Sequence, residues 1–176
     1  MGLIILICDD MSNFIIQFIG FVAWLFLVAS YWRKKVNDVL ILQVISCILF
    51  AIHYYLLGAM SGLYIVLFEA IRDFIYYKSD NDLKLFYCSL PIYVLIAVFC
   101  FNGIASVLPS LASLIDGFSL TGKKKFVVVG GILSYLVWIV YDFFCHSYVG
   151  MVTNFILVCS NILVLIKSFF EQKKVN

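Results

Sequence analysis

Polar segments interrupt this chain at intervals that match the ~20 apolar residues a helix needs to cross a bilayer. Between the interruptions the runs are continuously apolar, whereas a lipid-facing strand would alternate apolar and polar residues. The chain is 65% hydrophobic and only 12% charged, and a soluble domain of 176 residues could not bury so much apolar surface. The sequence therefore predicts an all-α membrane protein.

The interruptions predict about seven transmembrane helices in a single membrane domain that covers residues 1–176. Residues 1–8 are apolar but lack a basic segment and a small-residue cleavage site, so we do not interpret them as a cleaved signal peptide. The predicted spans are residues 13–32, 36–57, 63–77, 85–101, 105–120, 126–145 and 148–169.

The positions of lysine and arginine predict the orientation of these spans. With seven spans, all 12 basic residues fall in loops, helix ends and the carboxyl-terminal tail on one side of the membrane. The opposite side carries Asp9, Asp10 and the turn at residues 58–62, without lysine or arginine. Short cytoplasmic loops are rich in lysine and arginine, so we expect the amino terminus outside and the carboxyl terminus in the cytoplasm. The basic residues are Arg33, Lys34, Lys35, Arg72, Lys78, Lys84, Lys123, Lys124, Lys125, Lys167, Lys173 and Lys174.

Weak internal similarity predicts a repeated architecture. The segment 53–62, HYYLLGAMSG, lies opposite 141–150, YDFFCHSYVG, and at the same offset Phe50 lies opposite Trp138. We therefore expect a 3+1+3 arrangement of two parallel three-helix repeats joined by a linker helix, a plan known from transporters. The repeats are predicted at residues 13–77 and 105–169, with the linker helix at 85–101.

The segment 43–72, QVISCILFAIHYYLLGAMSGLYIVLFEAIR, resembles the YgjV-type bacterial inner-membrane protein family. The resemblance implies a multi-pass protein of the bacterial cytoplasmic (inner) membrane, distantly similar to the PQ-loop, SWEET and PnuC carriers of small polar solutes. This chain contains no Pro-Gln pair, so no substrate is carried over from those carriers. The matching residues are Gln43, His53, Leu56, Leu57, Gly58 and Arg72 in the first half, and Pro109, Trp138, Tyr141 and Gly150 in the second.

Three ionisable residues within the third span are the first candidates for a solute site. Glu69, Arg72 and Asp73 share one face of the helix, and charges inside a membrane are costly enough to suggest function. Arg72 would then recognise an anionic group or hold the two acids. Alternatively, Arg72 and Asp73 lie near the cytoplasmic end and extend to the headgroups.

Other polar and aromatic residues complete the predicted binding site. His53 would either titrate and couple proton movement to transport or anchor the neighbouring turn through hydrogen bonds. Pro109, which we place in the middle of the fifth span, would kink that helix and either act as a hinge or merely be tolerated. The remaining candidates are Gln43, Trp138, Asn154 and Asn161.

These patterns favour a carrier or permease for a small polar solute, with alternating access between two three-helix bundles. The alternative is a non-transporting membrane protein that binds or scaffolds a protein partner through its basic loops. The chain has no recognisable catalytic or phosphate-binding motif, and its six cysteines stand singly, so we expect neither an enzyme nor a metal or cofactor site. The predicted partners are the bilayer and the solute but no nucleic acid, and a homo-oligomer is left open.

Overall fold

The computed structural model describes residues 2–33, 36–78, 82–122 and 124–175, and within them it is almost entirely helical, with no strand. Seven α-helices follow one another through short connections. A single turn of 3-10 helix, Ile104–Val107, precedes the fifth. The helices are α1 (Gly2–Tyr31), α2 (Val36–Leu56), α3 (Met60–Lys78), α4 (Asp82–Phe99), α5 (Leu108–Leu120), α6 (Lys124–Phe144) and α7 (Tyr148–Val175).

Six of the helices pack in a closed sequence around a common centre. Each of α1, α2, α3, α5, α6 and α7 contacts the next, and α7 returns to contact α1. Helix α4 packs against α3 and α5 outside this ring. The α2–α3 and α6–α7 connections lie at one end, which we call the turn end. The α1–α2, α3–α4 and α5–α6 connections lie at the other, which we call the basic end.

The same local geometry terminates α2 and α6 at the turn end. Gly58 and His146 each adopt a left-handed backbone conformation, with φ of 70° and 58°. The amide of the next residue donates to a carbonyl five residues earlier, Ala59 to Tyr54 at 2.8 Å and Ser147 to Asp142 at 2.9 Å. This is the Schellman termination, in which a left-handed residue lets the last carbonyls of a helix find donors.

The burial pattern places large apolar side chains on the outside and combines polar with apolar side chains on the inside. Large apolar side chains such as Phe14, Phe99 and Ile104 are exposed, while His53 and Asp142 are fully buried. Buried small polar residues allow helices to approach closely and to hydrogen-bond to one another, as is common within membranes. The other buried polar residues are Ser30, Ser46, Ser61, Arg72, Ser89, Ser106, Ser110, Ser113, Ser119, Ser134, Ser147 and Thr153. This pattern suits a lipid environment.

Three of the described helices are long and apolar enough to cross a membrane. The qualifying segments are Asn13–Ser30, Lys125–Phe144 and Tyr148–Ser168. Shorter apolar stretches occur at Ile41–Leu56, Leu83–Phe99 and Ile104–Leu120. The structure thus has seven α-helices in the described residues, whereas three of them meet the criteria of length and apolarity for a span.

The predicted position of Pro109 within its helix is wrong. Helix α5 begins at Leu108, so Pro109 lies in the first helical turn rather than mid-helix. The amides of a first turn have no carbonyl partner within the helix, so proline removes no hydrogen bond there and introduces no kink. A hinge at this position stays a prediction, now at the junction between the 3-10 turn and α5.

Candidate functional site

A cavity of about 220 Å³, lined by both polar and apolar side chains, lies between the packed helices. We call it the central cavity. Helices α1, α2, α3, α5, α6 and α7 all contribute to its lining, which combines aromatic, amide, hydroxyl and charged side chains. Its polar and aromatic lining residues are Gln43, Ser46, Cys47, Phe50, Tyr54, Glu69, Arg72, Asp116, Ser134, Tyr135, Trp138, Thr153 and Asn154.

Arg72 connects α3 to two neighbouring helices. Its guanidinium donates to Asp116 Oδ2 at 3.0 Å and to the hydroxyl oxygen of Tyr93 at 2.9 Å, and only 5% of the residue is exposed. Nearby, the hydroxyl of Ser113 donates to Glu69. The proposal that Arg72 extends to headgroups is therefore wrong, because an acid on α5 satisfies its charge inside the protein. Arg72 holds an acid, as one of the two functional alternatives anticipated, and the partner found among the described residues is Asp116.

Three aromatic rings close the central cavity toward the turn end. The rings of Tyr54 and Trp138 stack with centroids 5.9 Å apart and planes 22° apart. Tyr141 contacts both, with centroid distances of 5.9 Å to Tyr54 and 5.7 Å to Trp138. Tyr54 and Trp138 line the central cavity, whereas Tyr141 lines a second cavity beyond them. We call these three residues the closing layer.

Tyr141 of α6 is bonded to the turn between α2 and α3. Its hydroxyl accepts from the Gly62 amide at 2.9 Å, donates to the Ala59 carbonyl at 3.3 Å and lies 3.1 Å from the Ser61 hydroxyl. Glycine is required at position 62, because a Cβ there would stand 2.9 Å from the tyrosine oxygen. A side chain from the second half of the chain therefore stabilises the connection between α2 and α3.

His53 of α2 makes the reciprocal connection to the turn between α6 and α7. Its Nδ1 lies 2.8 Å from the Ile16 carbonyl and its Nε2 2.9 Å from the Ser147 hydroxyl. A carbonyl only accepts, so Nδ1 carries the proton and, in the neutral ring, Nε2 accepts from Ser147. Gln17 of α1 also holds this turn, donating to the His146 carbonyl at 2.9 Å and accepting from the Val149 amide at 3.1 Å. The histidine geometry is that of the anchoring alternative.

Asp142 is fully buried between the two connections. One carboxylate oxygen accepts from the Tyr54 hydroxyl and the other from the Asn154 amide, each at 2.9 Å. Asp142 is near the end of α6, but the α6–α7 turn covers it: the Ser147 amide donates to the Asp142 carbonyl, and Gly150 lies against the carboxylate. A Cβ on Gly150 would come within 2.6 Å of the carboxylate carbon, so glycine makes room for the acid.

The structure brings together five of the eight predicted binding residues. Those that line the central cavity are Gln43, Glu69, Arg72, Trp138 and Asn154.

Two other predicted binding residues lie elsewhere, and one is not described. His53 lies at the turn end, and Asn161 is not among the lining residues: its amide nitrogen would lie 3.0 Å from a Cβ placed on Gly131. The side chain of Asp73 lies outside the described residues.

Beyond the closing layer lies a second cavity of about 550 Å³. We call it the vestibule. Its lining includes the Gly58–Ser61 turn, Asn102, Ser106 and Cys145, and it shares no described lining residue with the central cavity. The closing layer therefore contributes Tyr54 and Trp138 to the lining of the central cavity and Tyr141 to the lining of the vestibule. Within the described residues, no group of three or more His, Cys, Asp or Glu side chains is placed to hold a metal ion.

Comparison with protein families matches residues 14–172 to Imp-YgjV, described as a bacterial inner membrane protein. The chain belongs to this family. The resemblance seen in the segment 43–72 is thus confirmed over nearly the whole chain. Neither the comparison with curated proteins nor that with solved structures gives a significant match.

In this Imp-YgjV family chain, several residues of the site have no signal in the sequence. Ser113, Tyr93 and Ser147 are ordinary residues for apolar spans, and only the packing of distant helices gives them partners. Gln17 differs, because an amide within an apolar span is conspicuous by itself and would have been found by the criterion used for Gln43.

Proposed function

We propose that this protein is a carrier for a small polar solute, with the central cavity as its binding site. One observation carries the proposal: a cavity with charged, amide and aromatic lining lies among the helices, and its lining residues Tyr54 and Trp138 are in ring contact with Tyr141, which lines the vestibule. A scaffold needs no such cavity, whereas a carrier needs a site that one layer closes toward one side. No metal or cofactor is part of the proposal.

Two parallel three-helix repeats, α1–α3 and α5–α7, would provide the moving parts of this carrier. In support, adding 88 to the residue numbers of α2 (36–56) gives those of α6 (124–144), and the first residue of α3, Met60, becomes Tyr148, the first of α7. The packing is also reciprocal, since α3 contacts α5 and α7 contacts α1. Helix α4 would be the linker.

The two turns support the same division. The left-handed residues Gly58 and His146 are also separated by 88 positions, and each turn is fastened by a side chain from the other repeat. A rotation that separates the repeats at the turn end would break the Tyr141 and His53 hydrogen bonds together. The rings of the closing layer would then separate, and the central cavity would become continuous with the vestibule.

All seven helices would cross the inner membrane in this proposal, with the basic end in the cytoplasm. Arg33 follows α1, and Lys84 and Lys125 lie in the first turns of α4 and α6. Lysine and arginine are retained on the cytoplasmic side. The closing layer would thus face the outside, and its opening would admit solute from there.

Uptake by proteoliposomes tests the proposed function. Vesicles containing the full chain are incubated with a filtered small-molecule extract of bacterial cells, washed, and analysed by mass spectrometry against protein-free vesicles. We expect at least one polar compound to be retained. Gln43→Ala should lower its uptake about tenfold, the effect of losing one solute hydrogen bond worth about 1.4 kcal/mol.

Gln43 suits this test because no hydrogen bond to it is found within the described residues, so its removal should leave the unfolding midpoint unchanged. Retention of no compound, or equal uptake by Gln43→Ala, would contradict the proposal. A stoichiometric protein partner that co-purifies with a chain showing no flux would favour the scaffold instead.

Tyr141→Phe should make the turn end open more often. The variant keeps the ring but loses the hydroxyl that bonds to Gly62 and Ala59, which weakens closure by about 1–2 kcal/mol. With Cys47 as the sole cysteine, an impermeant thiol reagent applied from the turn side should label the central cavity about tenfold faster.

Tyr55→Phe is the matched control for this variant, since that tyrosine is 59% exposed on α2. Its labelling rate should equal that of the parent. If Cys47 in Tyr141→Phe is also labelled at the parent rate, the tyrosine hydroxyl does not keep the turn end closed.

A further inference from the structure

The Ser147 hydroxyl in the α6–α7 connection lies between two titratable side chains. His53 Nε2 of α2 is 2.9 Å away on one side, and the Asp142 carboxyl of α6 is its hydrogen-bond partner on the other. The serine and aspartate oxygens both border Gly150, where a Cβ would lie 2.4 Å from the hydroxyl and 2.6 Å from Asp142 Oδ1. All three side chains are fully buried. We call His53, Ser147 and Asp142 the turn-end network.

The two hydrogen bonds of the Ser147 hydroxyl need two protons, and the serine supplies one. His53 Nδ1 uses its own proton on the Ile16 carbonyl, so a neutral ring offers Ser147 only an acceptor. An ionised Asp142 is likewise only an acceptor. With a neutral ring and an ionised acid, one of two buried acceptors is therefore left without a donor. One additional proton completes both bonds.

The additional proton costs least on Asp142. Its carboxyl then donates to Ser147, the serine donates to His53, and no member of the turn-end network is charged. A proton on His53 would instead create a buried imidazolium beside a buried carboxylate. Burial disfavours the charged forms of both groups, so the neutral arrangement is preferred.

The other groups around the Asp142 carboxyl supply no positive charge. Its two oxygens accept from a tyrosine of α2 and an amide of α7, each at 2.9 Å. Among the residues that the structure describes, no lysine or arginine forms an ion pair with it. The polar and titratable groups at this end of α1, α2, α6 and α7 are Gln17, His53, Tyr54, Tyr141, Cys145 and Asn154.

We infer that Asp142 is a proton-binding site and that closure of the turn end binds one proton there. The inference rests on the proposed carrier and adds the ion to which its opening is coupled. Tyr54 and Asn154 connect the two sites, because both donate to Asp142 and both line the central cavity. A rotation that opens the turn end breaks the His53–Ser147 bond and exposes the carboxyl to water, and the proton is released.

Infrared spectroscopy of the full chain in detergent tests whether Asp142 holds the proton. A protonated carboxyl has a C=O stretching band that a carboxylate lacks, and we expect this band at neutral pH. Asp142→Asn should remove it. Asp38→Asn is the matched control, because that acid is exposed in the first turn of α2, and it should leave the band unchanged. A spectrum that Asp142→Asn does not alter overturns the inference.

His53→Asn separates the proton count from the effect of burial. Asparagine keeps a donor for the α1 carbonyl but has no acceptor in place of Nε2, so the Ser147 proton becomes available to Asp142. The Asp142 band should therefore weaken, whereas burial alone would preserve it. The control is His146→Asn, an exposed position whose ring contacts Tyr148 and whose left-handed backbone asparagine tolerates. An unchanged band in His53→Asn overturns the role of the turn-end network.

Nitrogen NMR of the parent chain decides the same question if these variants fail to fold. At neutral pH the His53 ring should be neutral, with its proton on Nδ1 and a hydrogen bond accepted at Nε2. An imidazolium signal from His53 would place the proton on the ring and overturn the assignment to Asp142.

Labelling of Cys47 tests whether the proton closes the turn end. The chain with Cys47 as sole cysteine is treated from the turn side with an impermeant thiol reagent at several pH values, with and without Asp142→Asn. Both chains carry the same thiol in the central cavity, so the ratio of their rates reports opening. Because the closed state holds the proton, the ratio of parent to variant should rise with pH, by up to about tenfold per pH unit. A ratio that is constant with pH overturns the coupling.

These measurements need no solute, so failure of the inference and failure of the carrier are distinguishable. A proton on Asp142 without uptake in vesicles contradicts the carrier and leaves the proton site standing. Uptake with an ionised Asp142 at neutral pH contradicts the proton site and leaves the carrier standing.

Discussion

Arg72→Ala should lower the free energy of unfolding by about 3 kcal/mol, the low end of the cost of breaking a buried ion pair, because the side chain of Asp116 that is left behind is 28% exposed. The guanidinium bonds to Asp116, Tyr93 and the Ser113 carbonyl, so its removal strips three groups on two other helices of a donor. Only 5% of Arg72 is exposed, so water cannot replace it without opening the helices.

The unfolding midpoint in detergent, titrated with sodium dodecyl sulfate, measures this effect. Arg33→Ala is the control, because that arginine is exposed in the α1–α2 connection and should change the midpoint little. Combining Arg72→Met with Asp116→Leu removes both charges and should recover part of the loss. Equal midpoints for Arg72→Ala and Arg33→Ala would show that the buried ion pair does not hold the helices together.

Gly130→Ala should lower the free energy of unfolding nearly as much as Arg72→Ala does, whereas Gly131→Ala should lower it only slightly. A Cβ on Gly130 would lie 2.1 Å from the Cβ of Ser119 on α5, so α5 and α6 must separate. A Cβ on Gly131 would lie 3.0 Å from the amide nitrogen of Asn161, the end of a side chain that can rotate away, and at an ordinary 3.7 Å from the ring of Tyr135. Overpacking of the first kind costs about 3 kcal/mol.

The same midpoint measurement compares the two glycine variants, which differ by one position on one helix. Adding Ser119→Gly to Gly130→Ala removes the clashing carbon and should restore stability. An equal effect of both alanine substitutions, or no rescue by Ser119→Gly, would contradict the close packing of α5 and α6.

The candidate site was partly predictable, and the reason differs between residues. Gln43, Glu69 and Arg72 were found because polar groups are costly in an apolar span, a property visible in one dimension. Asn161 met the same criterion yet lies outside the cavity, because the criterion does not say which side of a helix faces the centre. Pro109 was misplaced because the sequence does not reveal that the helix starts at Leu108.

The sequence by itself determined an all-α membrane chain, the approximate positions of its helices and its family, because runs of apolar residues and short polar breaks are local properties. Only the tertiary structure decided that Arg72 pairs with Asp116, that Asp142 is buried, and that His53 and Tyr141 each fasten the other half's turn. These partners lie 44 to 94 positions apart in the chain, and no local pattern encodes which helix packs beside which.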